Sequence, residues 1–476
     1  MPIHHAFLKV NQSQIQNLTG EVVSLHGIGL GGWMNMENFI TGFPANENAF
    51  RQVVYRALGM EKADYFFDRY LEYFFTDEDA RFISSLGMNL VRLGFNYRHF
   101  EDDMNPMVIR EAGLKQLDRV IKICADHKIY TILDLHAAAG YQNQDWHSDN
   151  PSQQAFFWQH KHFQDRAVWL WEIIAERYKD NPWVAGYDPL NEPSDPTGEL
   201  LNDFYQRVVA AIRQIDPEHI IFLEGNRYSR DFSVLGPPLP NVVYALHNYA
   251  VPGFIDGRDY PGISRGKYFD KMVLHDELVE MCQYMLENQT PIWVGEFGPV
   301  YTGDPQKDAM RYRLLEDQLS FYKELGASWC LWTYKDLGLQ GVVGLRPDSK
   351  WIQKIQPILE KKTILGVDSW GGLDKNVRHI MDPIEQTFAE FFPSYKPFPF
   401  DAQWQINRAV RHILLAEPLI EDFYPLLHGL ELAEIDELMA SFRFECCVPR
   451  EELVQIIKRE QGVSQSSFSA IPKNEK

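Results

Sequence analysis

The stretch VAGYDPLNEPSDP, residues 184–196, governs how this chain is read. Its first half is a short apolar run of the length of a buried strand. Prolines at 189, 193 and 196 then forbid an ordinary helix interior. One carboxylate, Glu192, sits between Asn191 and Pro193 just past the strand. Locally it fits a solvated loop charge, a helix-start charge favoured by the backbone dipole, or an acid catalyst. What stands at the ends of the other strands decides among these.

Seven further runs of the same kind follow one another along the chain: EVVSLHGI (21–28), NLVRLGF (89–95), YTILDLH (130–136), HIIFLEG (219–225), VVYALHN (242–248), PIWVGEF (291–297) and SWCLWTY (328–334). Continuous apolar character predicts strands covered on both faces of a parallel sheet. Amphipathic helical stretches lie between most of them, clearest over 113–128, 167–180 and 308–326. Eight strands alternating with helices predict an α/β fold, a (β/α)8 barrel. The rival is an open doubly wound sheet, but no GxGxxG fingerprint follows the first strand. The fifth-to-sixth connection, 226–241, contains GPPLPN and predicts a reduced helix. From about residue 353 strand signals stop and helical stretches such as 403–417 and 431–445 take over. The expected organisation is a barrel over 1–352, a helical C-terminal extension over 353–461 packed on the barrel or forming a homo-oligomer, and a frayed tail over 462–476.

The chain has 476 residues, is 45% hydrophobic and carries a formal net charge of -20. That acidity excludes binding to a phosphate backbone and suits a neutral substrate. No apolar run approaches the ~18 residues that span a bilayer, so no membrane partner is expected. The start, MPIHHAFLKVNQSQ, lacks a secretory pattern, and five cysteines at 124, 282, 330, 446 and 447 match no zinc or disulfide spacing. A cytoplasmic location follows as an expectation, with no cofactor and no metal.

Reacting groups of such barrels sit at the C-terminal ends of strands. The polar residues there are Arg92, His136, Asn191, Glu192, His247, Tyr249 and Glu296, with Trp332 as an aromatic wall. Two carboxylates across a pocket beside an aromatic platform suit glycosidic bond cleavage. One must carry a proton for the leaving oxygen and the other must be ionised to attack the anomeric carbon. Arg92 near Glu296 would keep that carboxylate charged, Tyr249 could orient it, and Asn191 could hold the sugar 2-hydroxyl.

In LVRLGF, LDLHAAAG, DPLNEP, LHNY, WVGEFG and LWTY, in that order over roughly 20–350, the chain resembles glycoside hydrolase family 5. The resemblance implies a retaining glycosidase with Glu192 as acid/base and Glu296 as nucleophile, carboxyl groups ~5–5.5 Å apart, and Arg92, His136, Asn191, His247, Tyr249 and Trp332 as the remaining active-site positions. GLGGWMNMENFI (29–40) and GYQNQDWHSDN (140–150) are similar to the exo-acting β-1,3-glucanase branch, which makes Glu37 and Asn143 candidate sugar ligands. The loop 251–269 reads as a wall or lid over the mouth. His147, with Asp145 and Asp149, reads as part of a solvated or substrate-rim loop rather than a metal cluster, and His160 and His162 as surface residues. The leading expectation is a retaining exo-β-glycosidase acting on short oligosaccharides or glycosides. An endo-β-glucanase or mannanase, and a catalytically inactive carbohydrate-binding barrel, stand as alternatives.

Overall fold

Eight parallel strands close into a barrel in the computed structural model, which describes residues 7–250, 259–264, 267–368 and 374–463. They are β1 (His26–Gly29), β2 (Leu90–Asn96), β3 (Tyr130–Ala137), β4 (Val184–Asp188), β5 (Ile220–Glu224), β6 (Val242–His247), β7 (Ile292–Phe297) and β8 (Ser328–Leu331). Each pairs with its chain neighbours, and β8 closes onto β1 through Trp329–His26, Cys330–Gly27 and Leu331–Ile28. Apart from His26 and Tyr130, every residue of these strands is buried, because helices cover the outside and packed side chains fill the inside. The helices Glu111–Asp126, Lys161–Tyr178 and Pro305–Glu324 occupy the expected amphipathic stretches. The fifth-to-sixth connection is reduced to the single turn Asn226–Ser229, as its prolines predict.

Two strand boundaries differ from the sequence reading. β1 begins at His26 rather than at 21, because Val22 bridges to Gln16 of an N-terminal hairpin, Leu8–Asn11 with Gln14–Asn17. Leu8 and Ile15 of that hairpin pack with Leu90 and Ile220, the first residues of β2 and β5, and so plug the N-terminal end of the barrel. β8 ends at Leu331, after which Lys335–Asp336 joins a separate small sheet. That sheet also contains Cys447–Pro449, so a strand does occur beyond residue 353. At three residues it is too short to leave a periodic pattern.

Beyond the barrel the chain continues as helices that lie against it. The helix Ala416–Leu427 packs on Glu47–Leu58, and Leu432–Met439 packs on Met60–Phe74. Of the loop 251–269, expected as a wall or lid, the described parts include a hairpin of Gly262–Ser264 with Lys267–Phe269; residues 251–258 and 265–266 lie outside the described residues. So does 464–476, most of the expected tail.

One buried cation joins the C-terminal region to the barrel. Lys335 lies 2.7 Å from Asp79 and also donates to the carbonyls of Phe74 and Phe442 at 2.8 and 2.7 Å. Lys335 and Asp79 side chains are both fully buried, so removing one leaves the other uncompensated. Lys335→Met is therefore expected to lower the free energy of urea unfolding by about 3–5 kcal/mol. A loss below about 1 kcal/mol, the size of a surface pair, would show that this tie is not structural.

Candidate active site

The mouth is organised around Arg92 of β2, whose side chain is fully buried. Its Nη1 donates to Glu296 Oε1 at 2.7 Å. Nε donates to Asp188 Oδ2 at 3.1 Å, and Nη2 reaches Asp188 Oδ2, Asn191 Oδ1 and Glu224 Oε1 at 2.8–2.9 Å. Asp134 Oδ2 lies 3.3 Å away. One guanidinium thus holds residues from the ends of β3, β4, β5 and β7 in a common arrangement.

Glu192 follows β4 with φ of 45°, a left-handed conformation that a branched-chain-free but bulky residue adopts only when its surroundings hold it there. The hold is visible. Its backbone N–H donates to Glu224 Oε2 at 2.6 Å, and its carbonyl accepts from Asn143 Nδ2 at 3.0 Å. Its carboxylate is gripped on both oxygens, by His247 Nδ1 at 2.7 Å and His147 Nε2 at 3.0 Å.

Glu296 at the end of β7 accepts from Tyr249 Oη at 2.8 Å on the oxygen not taken by Arg92. His247 Nδ1 is 3.6 Å from the same oxygen, so this imidazole stands between the two glutamates. One oxygen of Glu192 and one of Glu296 lie within 4.8 Å of each other. The opposite wall is Trp332, stacked on His136 with ring centroids 5.0 Å apart and planes at 6°. His136 is fixed by Asp134 at 2.8 Å. Glycines make room for the indole: a Cβ at Gly29 or Gly31 would fall 2.5 Å from the Trp332 ring. Beside this wall Glu37 is buried, 4.0 Å from His136 Nε2, and its Oε1 has no hydrogen-bond partner. Asn143 is turned inward: its amide group meets Glu192 O and His147 Nε2, and its oxygen accepts from Asp145 N.

Charge is distributed unevenly. Burial alone would raise Glu192, but hydrogen bonds from His147 and His247 outweigh it and hold the carboxyl well below its usual range. Burial alone would lower His147, yet its bond to Glu192 and that charge lift it to about 9. His247 is likewise raised against its burial by Glu224 and Glu296. Glu37 goes the other way: burial pushes it up to about 7 against the opposing pull of His136 and His147. The surroundings therefore favour an ionised Glu192 and protonated imidazoles at His147 and His247, a distribution that depends on contacts across the fold. Glu192, His247 and Glu296 could each offer one ligand atom to a cation. Arg92, His147 and His247 already supply positive charge to these carboxylates, the arrangement of an acid–base site.

All the strand-end residues singled out in the sequence meet at this mouth, with Glu37 and Asn143 on its loops. Three contributors were missed. His147 carries no spacing signal and touches Glu192 only because the loop 138–160 folds back, with its carbonyl held by Asn35 at 3.0 Å. Glu224 is the last residue of β5, where an acid carries no signal of its own. Asp188 lies in the opening stretch and reads as part of the strand. Trp33 and Trp293 are fully buried core residues, and His160 and His162 are exposed.

The family model Cellulase (glycosyl hydrolase family 5) matches residues 52–338. A β-xylosidase of Phanerodontia chrysosporium is 44% identical over 467 residues, 95% of this chain and 98% of the relative. The chain belongs to glycoside hydrolase family 5. It is a retaining, exo-acting β-glycosidase built on a (β/α)8 barrel with C-terminal helices. A more distant family relative is "Probable glucan 1,3-beta-glucosidase A" of Emericella nidulans, 26% identical over 67% of this chain and 86% of its own. A solved structure of a glycoside hydrolase shares the fold with a TM-score of 0.52 and 21% identity, over 71% of this chain and 98% of that one. Among the described residues no helix is long and apolar enough to cross a membrane.

The His147–Glu192 pair has a pH signature. His147 is shifted up from 6.5, so its contribution to stability is full below that pH and is lost as pH rises through about 9. Glu192 is shifted down from 4.5, so its contribution is present above that pH and lost on acidification. The melting-temperature gap between the wild-type enzyme and His147→Ala is expected to be widest between pH 4.5 and 6.5 and to close above about pH 9. A gap that stays constant from acid to alkaline pH is the result that removes the ion pair.

Proposed function

We propose that this enzyme releases single terminal β-linked sugars, with xylose the leading candidate, from short neutral oligosaccharides or glycosides. Glu296 is the nucleophile and Glu192 the acid/base. The observation that carries this is the approach of the two carboxylates within 4.8 Å, near the ~5–5.5 Å of retaining enzymes and far from the ~6.5–9.5 Å that leaves room for an inverting water. The high identity to a β-xylosidase supports the choice of sugar.

Arg92 and Tyr249 hold one oxygen each of Glu296 and aim it at the anomeric carbon for attack. The departing oxygen takes its proton from Glu192, which draws it from His147. His147 Nε2 faces both Glu192 Oε2 at 3.0 Å and the Asn143 amide at 2.8 Å. Once bare, this nitrogen accepts from Asn143, so it keeps a hydrogen-bond partner after its proton has left. Water then attacks the glycosyl–enzyme with Glu192 as base. Asn191 and the unpartnered buried oxygen of Glu37 meet hydroxyls of the terminal ring, which favours end recognition. The five free cysteines, four of them buried, support a cytoplasmic setting.

Glu296→Ala is expected to abolish turnover of aryl β-xylosides, with azide restoring it and yielding the α-configured azide. Near-normal turnover in that variant removes Glu296 as nucleophile. Glu192→Ala should cost roughly 10²–10⁴-fold on poor leaving groups and far less on activated ones. Equal losses on both count against its acid role. In the wild-type enzyme, turnover of aryl β-glucosides with none of xylosides would move the sugar assignment to glucose.

A further inference from the structure

A cavity of about 410 Å³ opens between the loop 138–160 and the C-terminal helices, apart from the mouth just described. Its size is within the roughly 300–1,000 Å³ of small-molecule sites. Phe388, Phe398 and Trp404 line it from the C-terminal region, and five glutamines, among them Gln144, Gln154 and Gln405, supply amides. None of its described lining side chains is charged, on a chain with a net charge of -20. Aromatic faces with interleaved amides suit a neutral polyhydroxy ring: the faces cover its C–H surfaces and the amides bond its hydroxyls. Gln153, another lining residue, has a buried Nε2 with no hydrogen-bond partner.

The cavity is joined to the catalytic mouth by direct contacts. Arg408 lies 4.6 Å over the Trp404 ring and is paired with Asp145 at 2.6 Å, two residues before His147. Gln144 follows Asn143 in the chain and accepts from Tyr228 Oη at 3.2 Å. Tyr228 in turn donates its N–H to Pro193 O at 3.2 Å, next to Glu192, and its ring is 6.0 Å from that of His147. Pro196, from the segment after Glu192, is part of the cavity wall. The cavity therefore lies beside the acid/base side of the mouth, where the leaving oxygen departs.

We propose that this groove binds the neutral saccharide on the leaving-group side of the scissile bond, so that the enzyme selects oligosaccharides over glycosides with a small aglycone. The proposal rests on the glycosidase reading above but not on the identity of the sugar. The probes are xylo-, cello- and laminari-oligosaccharides of two to six units and the matching 4-nitrophenyl glycosides, assayed with the full chain. Trp404→Ala should lower kcat/KM on the four-unit substrate about tenfold more than on the nitrophenyl glycoside, chiefly through KM. Gln154→Ala, an exposed position with little folding risk, should act in the same direction by a smaller factor. Equal losses on long and short substrates, or no loss on either, overturn the proposal. A binding arm uses Glu192→Gln, with and without Trp404→Ala, titrated calorimetrically with the same oligosaccharides. Affinity weakened about tenfold by Trp404→Ala supports the groove, and unchanged affinity overturns it. If the wild-type enzyme hydrolyses none of the panel, the glycosidase reading fails, and the groove is still judged by the binding arm.

Discussion

A single fully buried guanidinium carries the organisation of this molecule. Arg92 sits where eight strands converge and is surrounded by Asp134, Asp188, Glu224 and Glu296. A charge so deep is tolerated only when it is paired and its donors are satisfied. The converse holds for the carboxylates, which would repel one another at these distances without it. The requirement works as a positioning device: Glu296 and Asn191 are bound directly, and Glu192 is bound through Glu224, which accepts from its backbone N–H. The reactive geometry follows from electrostatic necessity in the barrel interior.

The two glutamates are held by different means. Glu296 is clamped by Arg92 and Tyr249, a permanent cation and a neutral donor. Glu192 is clamped by two imidazoles, groups that can lose their protons. An attacking carboxylate benefits from a partner whose charge never changes. An acid/base must gain and lose a proton within one turnover, and titratable partners let it do so in a water-poor site. Its strained backbone is one more sign that local comfort has been overridden by the needs of the site.

The C-terminal helices take part in this mouth rather than standing apart from it. His412 stacks on Trp146 at 4.0 Å, Arg408 pairs with Asp145, and Lys362 donates to the carbonyls of Asn38 and Gly42 at 3.1 and 3.2 Å. These contacts fall on the loops after β1 and β3, which carry Glu37, Asn143 and His147. A region without readable chemistry therefore buttresses the residues that have it. No single-sequence signal reports this, because the contacts join positions more than two hundred residues apart and use ordinary surface residue types.

What could be read from the linear chain was whatever is encoded locally. Apolar runs of strand length, helical periodicity between them and the proline stop after Leu190 suffice for the barrel and for the pairing of Glu192 with Glu296, because strand ends in a closed parallel barrel must share one mouth. The β1 boundary is not legible in sequence, because a segment bridged to a hairpin and a strand in a barrel look alike in hydropathy. His147, Glu224 and the aromatic groove at Trp404 were settled only by folding. A histidine in a polar loop, an acid at a strand end and a tryptophan on an amphipathic helix each have a common structural explanation in sequence. Their roles arise from distances across the fold, and so does the location of the proton: in sequence Glu192 is an ordinary carboxyl, whereas in space two imidazoles hold it ionised.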